Sequence, residues 1–524
     1  MKITGAMLIG QIEVFGTQDI MHAVNPSTGE TLEPTFGGGG EGDVDHACRL
    51  AADAFDSFRE SSLVERAAFL RAIGAGLLAL DDLLIDRAHE ESGLPKARLT
   101  GERGRTINQL EMFANIVEDG RWVDATIDTA MPERKPLPRV DLRLRRIALG
   151  PVAIFGASNF PLAFSVAGGD SASALAAGCP IVVKAHPAHL GTSELVGRVI
   201  QKAVADAGFH DGVFSLILGK GIEIGQSLVM HPAIRAVGFT GSRNGGLSLM
   251  RAAAARPEPI PVYAEMSSIN PVFLLPSALA EKAPAIAKNY IDSMTLGVGQ
   301  FCTNPGMVVA LEGEALRQFI AAATEEASSR PSGTMLTSGI HEAYQAGVAR
   351  LSDAQPVTPL VMKQPSEKLC QAAPALFAID AADVLENPDL ATEVFGPSSV
   401  IVRCRDNAQM LDVAAKMEGQ LTASLFASEP DDTLARDLLP ILENKVGRIV
   451  FNGFPTGVEV GWAMVHGGPY PATSDSRTTS VGAGAIDRFL RPVSYQDFPS
   501  RLLPQSIQDS NPLHIPQTRD TVLK

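Results

Sequence analysis

Apolar positions along the chain change their period several times, and each change predicts a different element. From Asp43 they recur at helical spacing: Val44, Ala47, Cys48, Ala51, Ala52 and Phe55 share one face, with Asp43 placed to cap the helix. Ser62 and Glu65 form a capping-box signature ahead of the apolar run LVERAAFLRAIGAGLLAL, and a further helix is expected over Thr106–Glu118. Upstream, NPSTGE (Asn25–Glu30) carries turn chemistry and the glycines Gly37–Gly40 read as a flexible loop. Between Met131 and Leu149 the period becomes two: Val140, Leu142 and Leu144 alternate with Asp141, Arg143 and Arg145. That reads as an exposed strand, which an oligomer could pair, and makes this segment a candidate assembly arm.

From Gly150 to about Met266 short apolar runs alternate with helical stretches. PVAIFGA, PIVVKA, VFSLIL and IRAVGFTG are the runs, separated by helices expected through Ala172–Ala177, from Thr192 and near Ile224–Val229. Alternation at this spacing predicts a parallel sheet of nucleotide-binding type. A second alternating region follows from Asn270 to about Val450, and the end of the chain is rich in loops. The 524 residues are too many for one small core, so two or three lobes are expected.

Composition then narrows the function classes. A formal charge of −15 speaks against nucleic acid or an anionic membrane as partner, though a local basic pocket could still take an anionic substrate. The five cysteines (Cys48, Cys179, Cys302, Cys370, Cys404) are scattered without a CxxC pair, which fits a reducing cytosol better than a disulfide framework or zinc cluster. The N-terminal residues show no secretory pattern, and no apolar run approaches the roughly 18 residues that a membrane span needs. A cytoplasmic protein is expected.

Cys302 lies in GQFCTNPG, Gly299–Gly306, where Gly, Pro and an amide predict irregular backbone. A lone cysteine is most often a small buried hydrophobe. As a nucleophile it would need help, because free cysteine titrates near pH 8.5. No GxGxxG opens the first helix of the alternating region. Instead, GFTGSRNGG (Gly238–Gly246) puts Gly241 and Ser242 where a strand hands over to a helix, a place whose amides suit a pyrophosphate.

Five ordered motifs resolve the ambiguity. SNFP (Ser158–Pro161), FTGS (Phe239–Ser242), the glutamate of YAEMSSINP (Tyr263–Pro271), GQFC (Gly299–Cys302) and EVFGP (Glu393–Pro397) occur in the order and approximate spacing of the aldehyde dehydrogenase superfamily, which the chain resembles from about residue 20 to about 500. The resemblance implies an α/β fold: a Rossmann-type parallel-sheet cofactor domain (1–130 and 150–266), an α/β catalytic domain (267–465), and a β oligomerisation arm with a C-terminal tail (131–149 and 466–524). It implies that Cys302 attacks the aldehyde carbon, that Asn159 and the Cys302 backbone N–H hold the oxyanion, and that Glu265 activates the hydrolytic water. Glu393 and Phe395 match the loop holding the nicotinamide ribose and ring. Gly221, Gly225, Gly241, Ser242 and Gly246 match positions near adenosine and pyrophosphate. A homodimer or homotetramer and a small aldehyde substrate are expected, without metal, nucleic acid or membrane.

Departures sharpen the reading. Ser267 and Ser268 stand where the family commonly has two glycines, Met307 where it has an arginine, and Ser158 where many members have tryptophan. In VVKAHPAH, Pro187 replaces the glutamate that binds the adenosine ribose hydroxyls in NAD-preferring members. A carboxylate about 4 Å from a phosphate would oppose it by roughly 4 kcal/mol per charge pair at an effective dielectric of 20. Its absence leaves Lys184 and His186 free to hold a 2′-phosphate, so NADP is expected over NAD. His186 and His189 do not form a metal site with any other clustered ligand. The wording of SNFPLAFSVAGGDSASALAAGCPIVVKAHPAH, AEMSSINPVF and HGGPYPATSDSRTTSVG is similar to the alpha-ketoglutaric semialdehyde (2,5-dioxovalerate) dehydrogenases, with NADP-linked fatty-aldehyde dehydrogenases as the alternative. Arg477 is a candidate grip for the substrate carboxylate, against a surface ion pair. Glu265 argues against a CoA-acylating enzyme, and the retention of Cys302, Glu265 and Asn159 against a non-catalytic relative. No motif marks the histidine partner that a cysteine hydrolase would need.

Overall fold

The apolar runs of the first alternating region are mostly buried, because helices cover both faces of the sheet they build. The computed structural model describes residues 1–363 and 369–523. Val262–Glu265, Ala236–Thr240, Val152–Phe155, Ile181–Lys184 and Phe214–Ile217 lie side by side in that order, all parallel. The N-terminal strands Met7–Ile9 and Ile12–Val14 extend the sheet antiparallel. Register aligns the carboxyl ends: Phe155 pairs with Lys184 and with Phe239, and Thr240 with Glu265. Ligands of open parallel sheets bind along that edge.

From Glu265 the chain crosses to a second sheet within a few residues. Here Ala375–Asp380, Ser398–Cys404, Met307–Leu311, Pro271–Leu274, Thr422–Phe426 and Arg448–Phe451 are parallel, with Thr358–Met362 antiparallel at one edge. Successive residues serve opposite cores: Val272 and Leu274 pack with Tyr290 and Phe319, whereas Phe273 packs with Phe377 and Val402. A strand buried on both faces reads as a continuous apolar run, not as alternation. Because Glu265 ends the last strand of the first sheet and Pro271 opens a strand of the second, the carboxyl edge of one faces the amino edge of the other. Cys302 and Glu393 precede the strands Met307–Leu311 and Ser398–Cys404, and so lie in the same seam.

A third, five-stranded sheet joins Leu490–Gln496, Leu142–Ala148, Ala125–Asp128, Gln517–Arg519 and Val522–Leu523. The strand expected to be exposed therefore lies between two neighbours. Its alternation has another origin: Arg143 is buried and pairs with Asp141 and Asp509. One edge of this sheet is Leu490–Gln496 and the other is Val522–Leu523.

Helix boundaries depart from expectation for local reasons. The first helix runs Glu41–Arg59, so Asp43 sits inside its first turn and its carboxylate accepts the Gly40 N–H at 2.9 Å. Gly37 and Gly38 are not a loop; they end the strand Thr31–Gly38, buried, where a Cβ on Gly37 would meet the Gly16 carbonyl oxygen at 2.5 Å. Ser62 and Glu65 do form the capping box. The helix expected over Thr106–Glu118 begins much earlier, at Lys96, because Arg98, Glu102 and Arg105 occupy its inner face and hide the apolar period.

Candidate active site

Cys302 lies on the irregular segment between the short helix Leu296–Gly299 and the strand Met307–Leu311. Asn270 fixes that segment, its Nδ2 donating to the carbonyls of Cys302 and Asn304, each at 2.9 Å. Asn159 follows the strand Val152–Phe155, is buried, and donates one Nδ2–H to the Gln300 carbonyl at 3.0 Å. A primary amide has two N–H groups, so one remains for a ligand. Arg98 braces the Asn159 loop: it donates to the Asn159 carbonyl at 2.8 Å while lying over the rings of Phe160 and Phe301.

The group that sequence reasoning missed is His466. Its Nε2 lies 3.3 Å from Cys302 Sγ and 2.8 Å from Glu265 Oε1. On the other side of Glu265, the Ser480 hydroxyl donates to Oε2 at 2.6 Å. The His466 and Glu265 side chains are buried, with 0% and 3% of their surface exposed. His466 Nδ1 is buried without a partner, which assigns the tautomer: in the neutral ring the proton sits on Nε2, since an unmet N–H is costlier to bury than a bare lone pair. One N–H thus bridges carboxylate and sulfur, and His466 has no lone pair facing the thiol.

Electrostatics assign the ground-state charges. Burial raises Glu265, but the facing His466 and the hydrogen bonds from His466 and Ser480 outweigh it and hold the carboxyl below its usual range. Cys302 moves the other way, pushed well up by burial and by Glu265, with Arg105 the opposing charge. The pair rests as carboxylate and thiol. A carboxylate in reach of a thiol, bridged by an N–H that stabilises whichever is anionic, can take the thiol proton when an electrophile arrives.

The segment after Glu265 is tied down by the two serines that replace glycines. Ser268 Oγ lies 2.8 Å from Asn270 Oδ1 and 3.0 Å from Gln420 Oε1, and accepts the Leu421 N–H at 2.9 Å. Ser267 and the Ser268 N–H face Glu393, whose carboxyl burial nevertheless pushes up to about 7. Phe395 sits two residues further along the same loop.

The remaining sequence candidates line the carboxyl edge of the first sheet. Lys184 ends the strand Ile181–Lys184, and burial alone pushes its amine down to about 8. His186 Nδ1 accepts the Ala188 N–H at 3.1 Å, so its Nε2 carries the proton and is a donor. Its neighbour His189 spends both ring nitrogens internally, on Ala157 O at 2.9 Å and Ser193 Oγ at 3.1 Å. Ser242 caps the helix Arg243–Ala254, and Gly241, Gly245 and Gly246 let that helix close on the Phe239 ring. Gly225 packs on Phe155 in the same way, and Gly221 adopts φ +98° beside it. Arg477 stands apart: it is exposed and paired with Asp475 at 2.8 Å.

Comparison with known proteins places the chain in a family. A model of the aldehyde dehydrogenase family matches residues 15–469. The alpha-ketoglutaric semialdehyde dehydrogenase 2 of Azospirillum brasilense is 58% identical over 521 residues, covering 99% of each chain. The alpha-ketoglutaric semialdehyde dehydrogenase of Acinetobacter baylyi is 48% identical over 482 residues, 92% of this chain and 91% of the relative. Among solved structures, lactaldehyde dehydrogenase from Escherichia coli superposes with a TM-score of 0.81 at 22% identity, covering 94% of this chain and 98% of its own. A 1-pyrroline-5-carboxylate dehydrogenase from Thermus with bound NAD gives 0.79 at 21% identity, covering 94% and 92%. With a family model spanning most of its length and relatives this similar from end to end, the chain belongs to the aldehyde dehydrogenase family.

Proposed function

We propose that this enzyme oxidises 2,5-dioxopentanoate, alpha-ketoglutaric semialdehyde, to 2-oxoglutarate with NADP through a covalent adduct on Cys302. The observation that carries the chemistry is the contact of Cys302, His466 and Glu265 beside Asn159. The substrate comes from the two relatives named above; no feature here favours a long aliphatic aldehyde.

Glu265 takes the thiol proton as Sγ bonds to the aldehyde carbon, and the His466 N–H follows the negative charge. The carbonyl oxygen becomes an oxyanion held by the free Asn159 N–H and the Cys302 backbone N–H. NADP, when bound, supplies the hydride acceptor. The acyl group then rests on Cys302 as a thioester. Glu265 passes the thiol proton to solvent and, a carboxylate again, draws a proton from water. The resulting hydroxide adds to the thioester carbon, the carbon–sulfur bond breaks to release the acid, and the departing thiolate takes the proton back from Glu265. General-base catalysis of this kind contributes about 10²–10⁴ in rate.

Lys184 supports the choice of NADP. It is an amine on which burial is the dominant influence, with no counter-charge acting among the described residues, and a 2′-phosphate would supply one. His186 Nε2–H is a second donor, and Pro187 brings no opposing carboxylate. Gly221, Gly225, Gly241, Ser242 and Gly246 would bracket the adenosine and pyrophosphate, and Glu393 and Phe395 the nicotinamide ribose and ring. The outer strand Leu490–Gln496 would carry pairing between subunits in a homo-oligomer. Five free cysteines suit the cytoplasm, and no helix among the described residues is long and apolar enough to cross a membrane.

The test is a panel of aldehydes ranked by kcat/KM with each cofactor, run beside Cys302→Ser. The acid semialdehyde with NADP should rank first, and the variant should lose turnover while still binding dinucleotide. Higher kcat/KM for long aliphatic aldehydes, or undiminished turnover by the variant, would refute the reading.

A further inference from the structure

Two half-buried arginines from different parts of the chain converge on one loop beside Cys302. Arg105 reaches from the helix Lys96–Asp119 and donates through Nη1 to the Val458 carbonyl. Arg448, at the start of the strand Arg448–Phe451, donates to the carbonyls of Gly457, at 2.9 Å, and Pro455. Between those anchor points, Thr456 Oγ1 bonds Ser293 Oγ at 2.6 Å and lies 3.5 Å from the carbonyl of Thr303, the residue after Cys302. The loop Pro455–Val458 therefore lies against the nucleophile segment with one guanidinium at each end.

Neither guanidinium is satisfied. Arg105 Nε and Nη2 and Arg448 Nε are buried without a hydrogen-bond partner, and neither residue has a carboxylate within ion-pair distance among the described residues. Burial lowers both, and Cys302 is the acidic group that acts most on each. Guanidinium does not deprotonate in a protein, so two positive charges stay half-buried with buried N–H donors unmet. Of the neighbouring carboxylates, Glu102 keeps Oε2 buried without a hydrogen-bond partner, while its Oε1 and the Glu459 carboxylate are engaged elsewhere. Glu102 Oε1 accepts the N–H groups of Leu162 and Ala163 at 2.8 and 3.0 Å, and exposed Glu459 accepts its own neighbour Val460 N–H at 3.1 Å. Arg98 also keeps Nη1 buried without a partner, and Arg105 also lies over a ring, that of Phe164. Arg98 differs in bracing the Asn159 loop and in having Glu102, not Cys302, as the acidic group that acts on it.

We infer that Arg105 and Arg448 clamp the carboxylate of an α-keto acid whose aldehyde end lies at Cys302. This rests on the substrate reading above and assigns the grip that reading lacks. A carboxylate accepts forked N–H pairs, and satisfying buried donors selects strongly against an analogue that cannot. A neutral aldehyde of the same carbon count would enter and leave the N–H groups unmet.

The experiment compares kcat/KM for 2,5-dioxopentanoate and for pentanal, with NADP, in the wild type, Arg105→Gln, Arg448→Gln and the two Lys variants. Each Gln variant should cut the acid-to-pentanal ratio by at least about tenfold, chiefly through KM for the acid, and Lys should restore part of it. A second readout is independent of turnover: 2-oxoglutarate should slow alkylation of Cys302 by iodoacetamide in the wild type and not in the Gln variants. NADPH binding by fluorescence checks each fold, and where a Gln variant does not fold the Lys variant carries the comparison. A ratio that stays constant while both substrates decline together overturns the clamp and leaves the arginines as loop anchors. A wild type without preference for the acid overturns the substrate reading, and the clamp with it.

Discussion

Replacing His466 by alanine tests the site at its centre. The variant removes a single N–H that spans 2.8 Å to Glu265 and 3.3 Å to Cys302, and leaves Ser480 and the Cys302 thiol to the carboxylate. A hydrogen bond to a charged group contributes about 1.5–3 kcal/mol net. At about 1.4 kcal/mol per tenfold, that is a fall in kcat of roughly 10- to 150-fold. The pH profile should move as well. Glu265 is held below its usual range because His466 and Ser480 outweigh burial. With His466 gone burial gains, the carboxyl rises, and it is protonated over a wider acid range. A protonated carboxyl cannot take the thiol proton, so the acid limb of the kcat profile should shift to higher pH. Stopped-flow measurement of NADPH formation at saturating substrate, from pH 5 to 9, reads both effects. His466→Gln keeps an N–H in the region and should recover part of kcat. A His466→Ala enzyme within about threefold of wild type, with its acid limb unmoved, would refute the bridging role.

Other consequences are as direct. Asn159→Ala should lower kcat by about 10²–10³ in the same assay with little change in NADP affinity, as expected for loss of one oxyanion donor. Lys184 sits at about 8 in the free protein, so NADP affinity should be greatest below that pH and weaken as pH rises through it, because phosphate must then recruit a proton to the amine. Titration calorimetry should show that slope for NADP, not for NAD, and lose it in Lys184→Met. Pro187→Glu should move the kcat/KM ratio toward NAD, by up to about 10³-fold if the new carboxylate stands near 4 Å from the phosphate. Far from the site, buried Arg66 donates to the carbonyls of Phe58, Arg59, Ser61 and Ala176. Arg66→Met removes this donor from all four, with Phe58 alone keeping the Ser61 N–H and hydroxyl, and should reduce stability by at least about 3 kcal/mol, read from urea midpoints.

The parallel sheets were legible because runs such as VFSLIL have no reason to be apolar on both faces unless both are covered. Local capping was legible at Ser62, whose partner lies three residues on. Buried charge defeated the same reasoning. Arg98, Glu102 and Arg105 interrupt the apolar period of a helix whose inner face carries chemistry, and Arg143 mimicked the polar face of an exposed strand. Cys302, Glu265 and Asn159 could be named because each sits in a short ordered motif, and the structure brings them to one seam. His466 could not: it meets Cys302 across 164 residues, and no spacing rule connects them. Its available signal was a histidine before Gly-Gly in a loop that also supplies Ser480. Arg105 and Arg448 were invisible for a related reason, since what distinguishes them is the lack of a carboxylate partner among the described residues.

Drawing the reactive groups from both sides of the seam also limits how such an enzyme can be recombined. A segment spanning 150–266 exchanged with an NAD-using homologue would import a new phosphate pocket together with the donor's own versions of Asn159 and Glu265. It would leave behind the imidazole and hydroxyl from the 466–480 loop that this carboxylate is built to meet. A working hybrid would need both stretches transplanted as a unit.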